Sequence, residues 1–364
     1  MASIDKRPNG KWRARYREHP GGPQRARHFD RKVDAERFLT NVQSRLLDGS
    51  YIDPSASQQT LRDYAAAWQT GQVHRPTTVV QVDAHLRNHV LPHFGDRPVE
   101  SIRPSEIQAW VKGRAEVLAP STVEVVFRIF AAILNAAVDD RLIARNPCIG
   151  VRLPRQANRQ VEPPTVEQVE TLIGAMPDRY RPLVTLATGT GLRQGECFGL
   201  TVDRVDFLRR TIRVDRQLVL AGKGQPEFGP AKTEASVRTV PLPDVVGSAL
   251  ASHLKRYPTT GDGLVFTNEK GGPIRCNRFG ELWRTTVDRA ELSGLRFHDL
   301  RHFYASLLIR HGESVKVVQA RLGHASASET LDTHSHMWPD PEERTRAAVD
   351  EVLGTSHTGE EQTG

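Results

Sequence analysis

The sequence predicts a multidomain, mainly α-helical chain: a small N-terminal β-sheet plus helix, then an all-α domain, then an α+β domain. Three observations carry this. A basic segment near the N-terminus alternates with the period of a strand. Apolar residues between Thr60 and Asn146 recur at helical spacing. From Thr165 onward, helical patterns surround a β-rich stretch from about Val202 to Val240. The length of 364 residues agrees, being too great for one ordinary core.

Lys11-Trp12-Arg13-Ala14-Arg15-Tyr16-Arg17 alternates strictly, so Trp12, Ala14 and Tyr16 share one face and the four cations share the other. Pro8-Asn9-Gly10 before it and His19 to Pro23 after it are turn signals. A second basic strand from Gln24 to Phe29 adds Arg25 and Arg27, and a helix follows from about Lys32 to Leu47. Residues 1–47 hold 12 Lys/Arg against 5 Asp/Glu, while the rest of the chain is balanced, so this segment carries the whole net charge of +7. A cationic sheet face with no acid between Lys11 and Arg17 suits a groove of double-stranded DNA. The expected DNA contacts are Lys11, Arg13, Arg15, Arg17, Arg25 and Arg27.

Residues 50–59 read as a linker. Thr60 caps a helix containing Leu61, Tyr64 and Trp68. Val79, Val82, Leu86 and Val90 mark a second, ending near Pro92 and Gly95. Ile102 to Leu118 makes a third, and Ser121 is expected to cap a long apolar fourth through Ala137. A second linker, rich in Arg, Gln and Pro, runs from about Val151 to Pro164, and Thr165 caps the first helix of the third domain. The expected boundaries are therefore 1–50, 60–150 and 165–350, with a polar, disordered tail at 354–364. The stretch from about Asp340 to Leu353 reads as an amphipathic helix, its Ala347, Ala348, Val349 and Leu353 free to pack on their own domain or on a neighbouring subunit. No run approaches the apolar length of a membrane span, and the N-terminus is polar without a secretion signal. The cysteines Cys148, Cys197 and Cys276 suggest neither disulfides nor zinc, which points to a reducing cytoplasm.

Four local patterns in the third domain carry chemistry. Gly189-Thr190-Gly191-Leu192-Arg193-Gln194-Gly195-Glu196 places an arginine at a glycine-flanked helix start. Lys232 lies in a Gly/Pro-bounded segment between strands. His298-Asp299-Leu300-Arg301 puts a histidine and an arginine one helical turn apart. Leu322-Gly323-His324 ends a helix on glycine. Each alone has a bland reading: an ion pair of Arg193 with Glu196 on a helix surface, a hairpin lysine, a satisfied helix face, a C-cap.

In this order and in one domain, the patterns resemble the tyrosine recombinase, or phage integrase, family. The resemblance covers nearly the whole chain and implies an arm-type DNA-binding domain, a helical core-binding domain and a catalytic domain. It implies a site-specific recombinase that breaks and rejoins DNA through a covalent 3′-phosphoryl intermediate, within a homo-tetramer holding a Holliday junction. No cofactor, metal or ATP is implied. Arg193 and Arg301 match the arginines that clamp the scissile phosphate, Lys232 the general acid, and His298 and His324 the histidines at the phosphate; Glu196 orients Arg193. Core and arm DNA sites are the expected partners, with a directionality factor or host DNA-bending protein as accessories, in the nucleoid of a bacterial cytoplasm.

One position departs from the pattern. Where the family usually continues T-L-D-T-Y-S-H after LGH, this chain reads Thr330-Leu331-Asp332-Thr333-His334-Ser335-His336, and no tyrosine follows Tyr304. Three explanations stand: the chain binds DNA without cleaving it, His334 is itself the nucleophile, or Tyr304 substitutes. Two rival classes also stand, a DNA-binding or architectural protein on a recombinase fold and a type IB topoisomerase.

Overall fold

A computed structural model of the chain describes residues 2–17, 22, 24–47, 58–156, 162–220, 224–259, 261–338 and 341–354. Most of the linker expected at 50–59, most of the turn at 19–23 and the tail from 355 lie outside them. The chain divides into two compact units, Met1–Ala157 and Asn158–Gly364.

The first unit begins with an antiparallel sheet in the order β1 (Ser3–Lys6), β2 (Trp12–Arg17), β3 (Gln24–Phe29), followed by helix α1 (Lys32–Leu47). The β1–β2 turn forms where expected: Gly10 takes φ +79°, and the Asn9 side chain accepts from the Lys11 backbone N–H at 3.2 Å. Alternation along β2 buries Ala14 and Tyr16 against Ala35, Leu39 and Val42 of α1, which leaves Arg13, Arg15 and Arg17 on the opposite face.

Five α-helices and one π-turn make up most of the rest of this unit. They are α2 (Leu61–Gly71), α3 (Pro76–His85), a π-helical turn (Leu86–Val90) running into α4 (Leu91–Phe94), α5 (Pro104–Ala115) and α6 (Pro120–Asp139). Thr60 caps α2 as expected, its hydroxyl accepting from the Asp63 N–H at 3.2 Å. Two expectations need correction. Ser121 does not cap α6: the cap position is Ala119, and Pro120 takes the first helical position, where its missing N–H costs nothing. By length and composition α6 is also apolar enough to cross a bilayer. Its buried stripe of Val123, Val126, Phe130, Ile133, Leu134 and Ala137 is a core face packed among the neighbouring helices.

The second unit starts with α7 (Val166–Ala175), capped by Thr165 with Gln168 closing a reciprocal capping box. Then come α8 (Arg181–Thr190), α9 (Gln194–Phe198), strands β4 (Val205–Asp206), β5 (Thr211–Val214), β6 (Arg216–Val219), β7 (Glu227–Pro230) and β8 (Arg238–Pro241), and α10 (Asp244–Arg256). The strands form a three-stranded sheet, β4-β5-β8, and a β6-β7 hairpin. After these come α11 (Cys276–Arg289), α12 (Asp299–Arg310), α13 (Val315–Leu322), α14 (Ala327–His334) and α15 (Pro341–Gly354). Helix α8 is central, with α7, α10 and α12 packed on it. A satellite core of Tyr304, Ala305, Ile309, Val318 and Leu322 joins α12 to α13.

Candidate active site

Two left-handed glycines set the site's frame. Gly191 ends α8 at φ +64° and Gly323 ends α13 at φ +65°. A Cβ at Gly191 would lie 2.4 Å from the Tyr304 ring, so both conformation and space demand glycine there. Both helix ends present free carbonyls carrying partial negative charge.

Three guanidiniums converge on those carbonyls. Arg301, 2% exposed on α12, donates to the Gly191 carbonyl (2.8 Å) and the Leu322 carbonyl (2.6 Å). Arg193, at the cap of α9, donates to Gly323 O (3.1 Å), Ser236 Oγ (3.2 Å) and Glu196 Oε1 (3.0 Å). Arg238, on β8, donates to Arg321 O (2.8 Å) and clasps both oxygens of Glu196 at 3.2 and 2.9 Å. Glu196 is therefore shared by two arginines and buried, so the reading of Arg193 and Glu196 as a helix-surface pair fails. Burial alone would raise its carboxyl pKa. The bonds from Arg238, then from Arg193, outweigh that and hold it below the usual range. Burial, then the neighbouring Arg193 and Arg238, push Arg301 down to about 9, still cationic at neutral pH.

Four imidazoles line the other side. His298 caps α12 with an exposed edge, and its ring centroid lies 5.0 Å from that of His302. His302 in turn lies 5.1 Å from His334, and His334 stacks on His324 at 6.2 Å with 9° between planes. His324 Nδ1 and Thr330 Oγ1 are 2.8 Å apart, which leaves Nε2 as its other polar edge. Desolvation, then the nearby His302 and Arg301, depress His298 to about 4. Desolvation, Arg301 and Arg193 depress His324 to about 3. Both are neutral at physiological pH, so the 4.0 Å approach of Glu329 to His324 Nε2 is not an ion pair. Lys232 follows β7, exposed, just before a 3-10 turn (Glu234–Ser236). Among the described residues no group of three or more His, Cys, Asp or Glu is arranged to hold a metal.

This arrangement joins two cationic forks, neutral imidazoles and a nearby lysine, which suits binding and protonation at a phosphodiester. Residues 165–337 match the Phage integrase family, 2–49 the Phage integrase N-terminal domain, and 58–153 the Phage integrase central domain. The chain belongs to the phage integrase family. Its members are tyrosine recombinases, enzymes that cleave and rejoin DNA at specific sites. A putative prophage phiRv2 integrase of Mycobacterium tuberculosis is 29% identical over 89% of this chain and 88% of its own. The integrase of Mycobacterium phage D29 is 27% identical over 82% and 83%. The solved Tn1549 transposon integrase, in complex with a circular intermediate DNA, shares the fold at TM-score 0.67, with 21% identity, over 80% of this chain and 99% of that one. A lambda integrase dimer on a core site shares it at 0.61, with 18% identity, over 93% and 96%.

Within this integrase, Arg193, Glu196 and Arg301 come together through the bonds above, and His298, His324 and His334 join through the chain of rings. Tyr304 does not: it is buried, packs on Gly191 and Leu322, and belongs to the core. Two site residues escaped sequence reasoning. His302 sits inside the HDLRH string, directly after Arg301, and Arg238 lies six residues beyond Lys232 on the next strand. Arg238 stands two residues before Val240 on a strand, and that period-two placement on the face of an apolar residue is the local signal that could have flagged it.

The basic sheet is only partly the surface expected. Arg13, Arg15, Arg17 and His28 share its open face, but the register pairs Arg25 with Tyr16 and Arg27 with Ala14, on the face that packs α1. Arg27 lies over the Phe38 ring at 5.3 Å. An acid also enters from the neighbouring strand: Asp5 bonds Arg13 at 2.9 Å and pairs with Arg15 at 3.2 Å. The bonds from Arg13 hold its carboxyl below the usual range. Lys11 pairs loosely with Asp30 at 3.6 Å.

Proposed function

We propose that this chain binds attachment-site DNA, assembles as a tetramer on a Holliday junction, and lacks strand-cleaving activity as written because His334 occupies the nucleophile position. The observation that carries this is the combination of an intact arginine cluster with a buried imidazole. Arg193 and Arg301 remain fixed by carbonyls at the ends of α8 and α13, yet His334 is 1% exposed, stacked on His324 and edge-on to His302.

The chemistry follows from the residue types. A hydroxyl nucleophile gives its proton to the neutral imidazole of His298 or His324 as its oxygen attacks phosphorus, negative charge grows on the non-bridging oxygens, and Arg193 and Arg301 stabilise it. The P–O5′ bond breaks, and the departing oxygen takes a proton from Lys232. The phosphoryl group stays on the enzyme, so rejoining needs no cofactor. An imidazole at residue 334 is shorter than a phenol and would leave a P–N bond. A nucleophile displaced by about 1 Å forfeits about 10²-fold in rate.

In this reading residues 1–50 contact arm sites, and residues 60–150 with 165–350 hold the core site. A directionality factor or host DNA-bending protein assists, and the reaction takes place at the bacterial nucleoid. Helix α15 supports assembly: its Val349 and Leu353 are 48 and 62% exposed and offer apolar surface to a neighbouring subunit.

The test is a suicide DNA substrate bearing the core site, incubated with the chain and with His334→Tyr and resolved on a denaturing gel. Adducts with His334→Tyr alone support the proposal. Acid-labile adducts with the unaltered chain, lost in His334→Ala, would show that His334 is a working nucleophile.

A further inference from the structure

We infer that Arg238 is a positioning residue for the leaving-group lysine: it ties the segment bearing Lys232 to the Gly323-His324 turn and to Glu196. Arg238 is poorly placed to bind a phosphate itself. Its side chain is 6% exposed, and its donors are spent on Arg321 O (2.8 Å), Ser236 O (3.0 Å) and the two oxygens of Glu196 (3.2 and 2.9 Å). Little remains to offer a phosphate, which separates it from Arg193, whose side chain is 21% exposed.

Its partners instead belong to three chain segments that must move together. Ser236 closes the turn that begins at Thr233, the residue after Lys232, and their hydroxyls lie 2.9 Å apart. Arg321 belongs to the last turn of α13, two residues before Gly323. Glu196 anchors Arg193. The Lys232 segment also presses on the α13 end: a Cβ at Gly323 would meet Ala235 O at 2.9 Å and Arg238 Cδ at 3.1 Å. Lys232 itself is exposed and makes no hydrogen bond or ion pair among the described residues, so the tether of its flank is what limits where its ammonium goes. A general acid needs hydrogen-bond reach of the departing oxygen, so loss of that tether removes protonation more than phosphate binding.

Two measurements test this. The first is amide hydrogen exchange on the chain as it stands. Arg238→Met should raise exchange at residues 231–237 and 321–325 by about tenfold or more while α8 and α12 stay protected. Unchanged exchange in both segments overturns the tether. The second rests on the proposed function and uses His334→Tyr as the parent, with paired substrates carrying oxygen or sulfur at the 5′-bridging position. A thiolate leaves without a proton. Arg238→Met should therefore lose about 10²-fold on the oxygen substrate and recover most of it on the sulfur substrate, as Lys232→Ala should. Equal loss on both substrates overturns the assignment. If Arg238→Met does not fold, Arg238→Lys, which keeps the charge without the fork, takes its place in both measurements. Should His334→Tyr fail to cleave with Arg238 intact, the nucleophile reading falls, and the exchange result alone decides the role of Arg238.

Discussion

The two arginine-rich regions of this integrase use the same residue in opposite ways. On the N-terminal sheet, Arg13, Arg15 and Arg17 lie on an open face, and Asp5, the acidic partner of Arg13 and Arg15, is itself partly exposed. In the second unit, Arg301 and Arg238 are buried, and they and Arg193 are held by backbone carbonyls at the ends of α8 and α13. The partly exposed set on the sheet suits reversible contact with phosphates, screened by salt. The buried set is preorganised at its folding cost, so little reorganisation remains when charge develops. A surface that binds tolerates mobility, whereas a site that does chemistry does not.

Substitutions sharpen this contrast, beginning with the largest effect. His334→Tyr should raise covalent adduct formation by at least about 10²-fold over the unaltered chain, and a gel showing equal adducts would break the link between the buried set and catalysis. In that background Arg301→Gln should cost about 10²- to 10³-fold in cleavage while core-site binding changes far less, as read by single-turnover kinetics and gel shift. Glu196→Ala strands Arg238 and Arg193 without their carboxylate. It should destabilise the second unit by about 3–5 kcal/mol in denaturant unfolding, where a loss near zero would mean the pair is dispensable.

Smaller effects belong to the sheet. Arg15→Ala should weaken arm-DNA binding and reduce the slope of log affinity against log salt by about 0.9, whereas Asp5→Asn, by releasing Arg13 and Arg15, should strengthen binding. Indifference of both variants would remove the open face from the DNA interface. Last comes acidity. His298 and His324 are held near 4 and 3, below their unfolded value of about 6.5. Below that value the unfolded chain takes up protons that the folded chain refuses, so these two groups cost stability progressively as pH falls from about 6.5 towards 4 and 3. Thermal unfolding scans should show this decline, and His324→Gln should shrink it.

Local chemistry was legible in the chain. The alternation at residues 11–17 specified β2, the hydroxyls of Thr60 and Thr165 marked two helix starts, and Gly323 marked a helix end, because each signal acts within a few residues. The ordered strings around Arg193, Lys232, His298, Arg301 and His324 named the candidate site. What escaped were consequences of contact between distant segments. Glu196 looked like a surface partner of Arg193 until Arg238, 42 positions away, closed over it. Arg25 and Arg27 read as part of the DNA face until strand register turned them towards α1. The acid opposite Arg13 came from β1, not from the basic run itself.

By itself, then, the sequence determined where helices and strands start, which residue types are available for phosphodiester chemistry, and that the position expected to hold a tyrosine holds His334. Only the tertiary structure decided which cations are buried and which solvated, since desolvation and shared carbonyls depend on what packs against a side chain rather than on its neighbours in sequence. It alone stacked His334 on His324 and set it edge-on to His302, and it alone joined Arg238 to the turns on either side of the site.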